Sequence, residues 1–228
     1  MTSRAEDTRS RLRSAALAVV REQGVGGASA RAIAAAAEVN QALIFYHFGS
    51  VSELIEAASD EAVEARVKLY QADFGGVASL SDLLSVARQV HEQERRAGSM
   101  TVMAQIMAGA QNDPVLARAA RHALAAWIDE VDQVLGRVLA ASPIGSLIDS
   151  AGLAQLVSAT FMGIELYHGA DPEAADLAFS TIERLNDVLS ALEGLGPASQ
   201  RALRIAGAQV GRRVARSPGI DGAAADDQ

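Results

Sequence analysis

Between Gln41 and His47 the chain gathers side chains suited to touching a nucleic acid. The amide of Gln41 can donate and accept at once, which is the pattern an adenine edge presents in the major groove. Arg31 supplies a planar guanidinium that matches a phosphate, and Tyr46 and His47 combine apolar rings with polar tips. Ser29 opens the preceding helix, where free backbone amides add an attraction for phosphate of their own. Ala42 and Phe45 lie on the same short helix as Gln41 and complete the candidate face. Each residue also has a plainer reading. Gln41 can be a solvated or phosphate-facing amide and Arg31 a surface charge, while Tyr46, His47 and Phe48 can all pack helix three onto helix four. Packing is preferred for Phe48, which has no polar tip; phosphate contact is preferred for Tyr46 and His47.

These residues need a frame. The spacing of Leu12, Ala16, Val19 and Val20 predicts a first helix from about Thr8 to Glu22, ended by Gly24 to Gly27. Ser29 is the expected N-cap of a second helix through Ala36, anchored by Ile33. Asn40 caps a short third helix from Gln41 to His47, with Val39 and Ile44 buried between the two. Two helices joined by a tight turn behind a first one suit a helix-turn-helix, whose second helix enters the major groove. Ser50 and Glu53 then have capping-box spacing for a fourth helix to about Gln71.

The remainder repeats this punctuation. Gly75-Gly76 is a break, Ser79 with Asp82 is another capping box, and Gly98 separates two further helices. Asp113-Pro114 opens a helix reaching Leu139, Ser146 with Asp149 one to His168, and Asp171-Pro172 one to Leu192. The expected fold is therefore all-α, with a head over residues 1–50, a helical body over 51–196, and a basic helix and disordered tail over 197–228. Alanine and leucine dominate and aromatics make up 4%, which favours helix over strand.

The body offers two kinds of surface. Leu153, Leu156, Thr160, Gly163 and Tyr167 recur at helical spacing, as do Ala178, Ile182, Leu185, Leu189 and Leu192. Two such helices from each of two subunits form a four-helix dimer seam; burial inside one subunit is the alternative. Met100, Met103 and Met107 make a stripe of adaptable apolar side chains. With Trp127, Phe161, Met162, Glu165 and His168 they are the candidate lining of a pocket for a mainly apolar effector of aromatic or acyl character. Core packing explains each of them equally well.

Charge and composition narrow the classes. The net charge is -8, yet residues 1–50 hold six arginines against four acids, so a weakly basic head sits on an acidic body. The chain has no cysteine, which excludes disulfides, thiol catalysis and cysteine-held metals. His91, His122 and His168 show no metal-ligand spacing and read as surface or core residues. No nucleophile–base pair or glycine-rich phosphate loop stands out, so neither an enzyme nor a cofactor is expected. The polar N-terminus lacks a signal peptide's pattern and no window suits a bilayer, so a cytoplasmic location without membrane contact is expected.

The stretch from Ser29 to Leu54 resembles the DNA-binding segment of the TetR family of bacterial repressors. Ile44, His47, Phe48, Ser50 and Leu54 match its pattern, and the likeness spans residues 11–58. Three residues depart: Phe45 stands at the usual tyrosine, Glu38 at the usual turn glycine and Val51 at the usual lysine opening helix four. The resemblance implies a homodimer that binds a palindromic operator and releases it when a small molecule enters the body. Ligand would shift helices five to seven, move helix four as a lever and change the separation of the recognition helices. The rival reading is a helical ligand-binding or scaffold protein without specific DNA binding.

Overall fold

The computed structural model describes residues 4–141 and 148–193, together with residue 205. Among these, every regular element is helical. The helices are α1 (Arg4–Gly27), α2 (Ala30–Ala36), α3 (Ala42–Phe48), α4 (Val51–Gly75), α5 (Leu80–Ala97), α6 (Ser99–Gly109), α7 (Pro114–Ala141), α8 (Ser150–Ala170) and α9 (Pro172–Glu193).

Most boundaries follow from side chains that satisfy the free amides of a first turn. The Ser29 hydroxyl accepts from Ala32 N at 3.2 Å, Ser50 from Glu53 N at 3.1 Å and Asp171 from Ala174 N at 3.0 Å. Ser79 and Asp82 form a reciprocal capping box. Four expectations shift. Helix α1 starts at Arg4, because Glu6 and Asp7 suit its first turn and Thr8 bonds back to Arg4 O. It breaks at Gly24 (φ 72°) as expected but turns on to Gly27. Helix α4 passes Gln71 to Gly75, since Tyr70 and Phe74 are buried and hold its last turns down. The cap of α8 is Asp149, which accepts from Gly152 N at 2.8 Å. Ser146, the expected helix over 199–215 and the tail from Ser217 lie outside the described residues, Ile205 apart.

Packing produces two cores. The first joins Leu12, Val19 and Val20 of α1 to Ile33, Ile44, Leu54 and Ile55, and reaches on to Ile106 and Leu116 of α6 and α7. The second gathers Tyr70, Phe74, Val77, Leu80 and Leu83 around Val134, Leu135, Val138 and Leu139 of α7 and Ala154 of α8. Helix α4 belongs to both. It runs alongside α7 in the same direction, tied by Ser52–Asp113 (2.5 Å), Glu56–Arg118 (3.1 Å) and Asp60–His122 (2.6 Å). Farther along, the buried Tyr70 hydroxyl donates to Glu94 Oε1 of α5 at 2.7 Å, and Arg66 lies 3.2 Å from the same oxygen. Burial and then the Glu94 hydrogen bond push the Tyr70 pKa up to about 12.

The Asp60 hydrogen bond and charge raise the His122 pKa. A raised folded-state value means the pair stabilises fully below the unfolded value of about 6.5 and loses its effect as pH climbs through the folded one. Asp60→Asn should therefore lower the melting temperature more at about pH 6 than at about pH 9. Thermal unfolding of the two proteins across that range checks the sign.

Candidate nucleic-acid interface and sensor core

The second and third helices are locked by few side chains. Ile44 is fully buried, Leu43 and Val39 are half-buried beside it, and Phe48 packs on the same core beneath the Arg9 guanidinium, 5.1 Å from its ring centre. At the turn between them Glu38 takes a left-handed φ of 53°. Arg11 of α1 donates to Ala37 O at 2.5 Å and Glu38 O at 3.3 Å, satisfying two carbonyls that the turn leaves outside any helix. Arg11 was not singled out from the sequence. Its only signal was the need for a donor at a turn with free carbonyls.

With that frame fixed, the opposite face of α3 is bare. Gln41, Ala42, Phe45 and Tyr46 are all exposed, Phe45 at 51% and Tyr46 at 81%. Gln41 occupies the cap position of α3, and Asn40 Oδ1 accepts from Ala42 N at 2.8 Å. His47 is half-buried and stands edge-on to the Tyr46 ring at 4.9 Å. Arg31 is exposed in the first turn of α2, and Ser29, exposed beside it, spends its hydroxyl on the cap. Gly49 closes α3 at φ 86°, where an added Cβ would collide with the Glu53 carboxylate.

In the body the structure brings together only part of the expected lining. Phe161, Glu165 and His168 of α8 meet His91 and Arg95 of α5. The Phe161 ring lies 5.5 Å from His91, and His168 Nε2 is 2.6 Å from Arg95. Met162 is buried on the same helix. Trp127 belongs instead to the second core, against Tyr70 at 5.9 Å and Phe74 at 6.3 Å. Met107 packs on the first core, and Met100 and Met103 are half-buried on α6. His91, Thr101, Arg95 and Phe179 join this cluster without having been expected there, because only tertiary packing places them beside Phe161.

Helices α8 and α9 carry an uncovered apolar surface. Leu156, Tyr167 and Leu185 are exposed at about 60%, as are Leu166 and Leu177, which sequence spacing did not select. Ala178 is exposed, Thr160 and Ile182 are half-buried, and space is open where a Cβ would stand on Gly163. Leu153 turns inward onto the second core. The side chains of Leu189 and Leu192 lie outside the described residues.

Residues 12–58 match the family model described as bacterial regulatory proteins, tetR family. The likeness to that family covers the head. The all-α architecture, with a helix-turn-helix ahead of a helical bundle, is shared with solved TetR-family structures. A putative TetR-family regulator from Rhodococcus sp. superposes with a TM-score of 0.67 at 22% identity, over 80% of this chain and 98% of that one. A TetR-family member from Streptomyces coelicolor A3 gives 0.54 at 25% identity, over 78% and 97%. The transcriptional regulator FadR from Bacillus subtilis, in complex with stearoyl-CoA, gives 0.62 at 16% identity, over 76% and 95%. No curated protein sequence matches the chain significantly. Among the described residues no helix is long and apolar enough to cross a membrane, and no group of acids and histidines could hold a metal ion.

The departures of this head from the family's usual residues now have physical content. Val51 packs against the first core, an apolar contact that the usual lysine would not make. Glu38 adopts the left-handed conformation that glycine takes freely. Replacing it removes a Cβ clash of about 1–2 kcal/mol against a chain-entropy cost of about 0.5–1 kcal/mol. Glu38→Gly should therefore stabilise by roughly 0.5–1 kcal/mol, and Arg11→Ala should destabilise by about 1 kcal/mol. Denaturant unfolding of each variant measures both, and a destabilised Glu38→Gly protein would refute the strain at this turn.

Proposed function

We propose that the chain is an effector-released repressor that binds a palindromic operator as a homodimer. The observation that carries this reading is the exposed face of α3, where Gln41, Ala42, Phe45 and Tyr46 stand clear of a core that rigidly holds their helix. Gln41 reads a base edge, while Tyr46, His47, Ser29 and Arg31 meet the sugar–phosphate walls and orient the head. Phe45 offers a thymine methyl an apolar partner, and Ala42 leaves room for the groove floor.

Residues 1–50 act as the DNA-reading unit, 51–196 as the sensing and dimerising unit. One head covers one half-site, so two are needed about 34–36 Å apart. The exposed Leu156, Tyr167, Leu177 and Leu185 support an isologous seam built from α8 and α9, since a two-fold axis lets one apolar patch cover its own copy. The effector is a small, mainly apolar molecule held among α5, α6, α8 and α9. On binding it moves α5 to α7, tilts α4 and alters the spacing of the heads. The stearoyl-CoA in complex with FadR is a precedent for a ligand carrying a long acyl chain in this fold.

Operator binding should be measured with DNA from upstream of the protein's own gene, across a salt series. Gln41→Ala should lose about 1–3 kcal/mol at particular base pairs, whereas Arg31→Ala should weaken all sequences alike and flatten the salt slope. Equal losses for Gln41→Ala on specific and random DNA would remove it as the reader. A chain that shows no salt-dependent DNA binding at all would be a ligand-binding or scaffold protein instead. Leu156→Arg with Leu185→Glu should yield monomers by sedimentation and abolish tight operator binding.

A further inference from the structure

His91 Nδ1 on α5 and Glu165 Oε2 on α8 are buried with no hydrogen-bond partner among the described residues. Glu165 is 9% exposed, and its other oxygen receives a long bond of 3.5 Å from the Thr101 hydroxyl of α6. Buried polar atoms are nearly always satisfied, because one left unmade keeps its full desolvation cost. Around them the walls are aromatic. Phe179 stacks on His91 at 5.3 Å, and Phe161 stands edge-on to both rings at 5.5 and 5.8 Å.

Charge decides what fits between them. Burial holds the His91 pKa below its usual value, with Glu165 opposing that shift and Arg95 adding to it, so the imidazole is neutral near pH 7. Glu92 and His168 also face this imidazole, with opposite effects. A carboxylate head would meet the Glu165 charge. An ammonium head would pair with Glu165 but carries donors only, so it cannot accept from an Nδ1–H. A hydrocarbon would leave both atoms unmatched. With the neutral imidazole's proton on Nδ1, a neutral hydroxyl satisfies both, donating to Glu165 Oε2 while its oxygen accepts from Nδ1–H.

The geometry points to His91 and Glu165 as the polar end of the effector site, selecting an uncharged hydroxyl carried on an aromatic body. This rests on the reading of the body as the sensor. It narrows the effector from any apolar molecule to phenols and related aromatic alcohols.

The test titrates the full-length protein with para-cresol, para-xylene, para-toluate and para-methylbenzylamine by calorimetry and thermal shift. Para-cresol should bind at least roughly tenfold more tightly than the other three, the discrimination expected of one buried hydrogen-bonding group. Glu165→Leu should lose roughly tenfold for para-cresol and bind para-xylene as well as the parent does. His91→Phe, which keeps a ring against Phe179, should lose affinity in the same direction, and circular dichroism confirms that either variant is folded. Preference for the amine or the acid, equal binding of para-xylene, unchanged affinity in both variants, or no binding by any probe would each overturn the assignment. Operator affinity is measured separately. Para-cresol binding with unchanged operator affinity leaves the site standing and sinks effector release; intact operator binding with no para-cresol affinity does the reverse.

Discussion

Helix α4 is buried at both ends in different company, and the two halves of the molecule are connected through that arrangement. Leu54, Ile55 and Ala58 lie in the core that carries α3, while Tyr70 and Phe74 lie in the core of the body. A helix is stiff along its axis, so a displacement at one end cannot be absorbed midway without breaking backbone hydrogen bonds. The buried Tyr70–Glu94–Arg66 contact binds its far end to α5, the helix that also carries His91. Chemistry at the sensor cluster and geometry at α3 are thus separated by rigid pieces and few joints.

Much of this was legible in the sequence because helix boundaries are written locally. Ser29, Ser50, Ser79 and Asp171 each announce a helix by offering an oxygen to amides two or three residues on, and each does so here. The bare face of α3 was legible for a related reason: Ile44 and Phe48 share the inward side, so Ala42, Phe45 and Tyr46 stand on the other, and Gln41 is exposed because it lies at the helix start. Arg11 was not legible, since nothing near it hints at carbonyls some twenty-six residues away. The sensor cluster was half legible. Methionine and tryptophan looked like lining because they are large and apolar, yet Trp127 fills the second core, and the residues that do meet Phe161 come from α5 and α9. Periodicity reports which face of a helix is apolar but not which neighbour covers it.

The charge distribution gives the head–body layout a direction. An acidic body is repelled by a phosphate backbone, and a weakly basic head is not, so approach with α3 leading is favoured before any contact forms. Glu38 is an exception within the head, an exposed acid at the turn. The Arg11 guanidinium beside it bonds backbone carbonyls rather than the Glu38 carboxylate, so this cation serves the turn's shape.

The three polar pairs between α4 and α7 fix more than affinity. Sliding α4 by one turn in one direction would bring Glu56 against Asp113, two carboxylates in place of a hydroxyl and a carboxylate. Slip that way exchanges the Ser52–Asp113 hydrogen bond for a like-charge contact at the start of the pair, while Asp60 would take over Arg118 farther along. The spacing of the three pairs thus sets one register for α4 on α7, and through α4 the height at which α3 is held beside it.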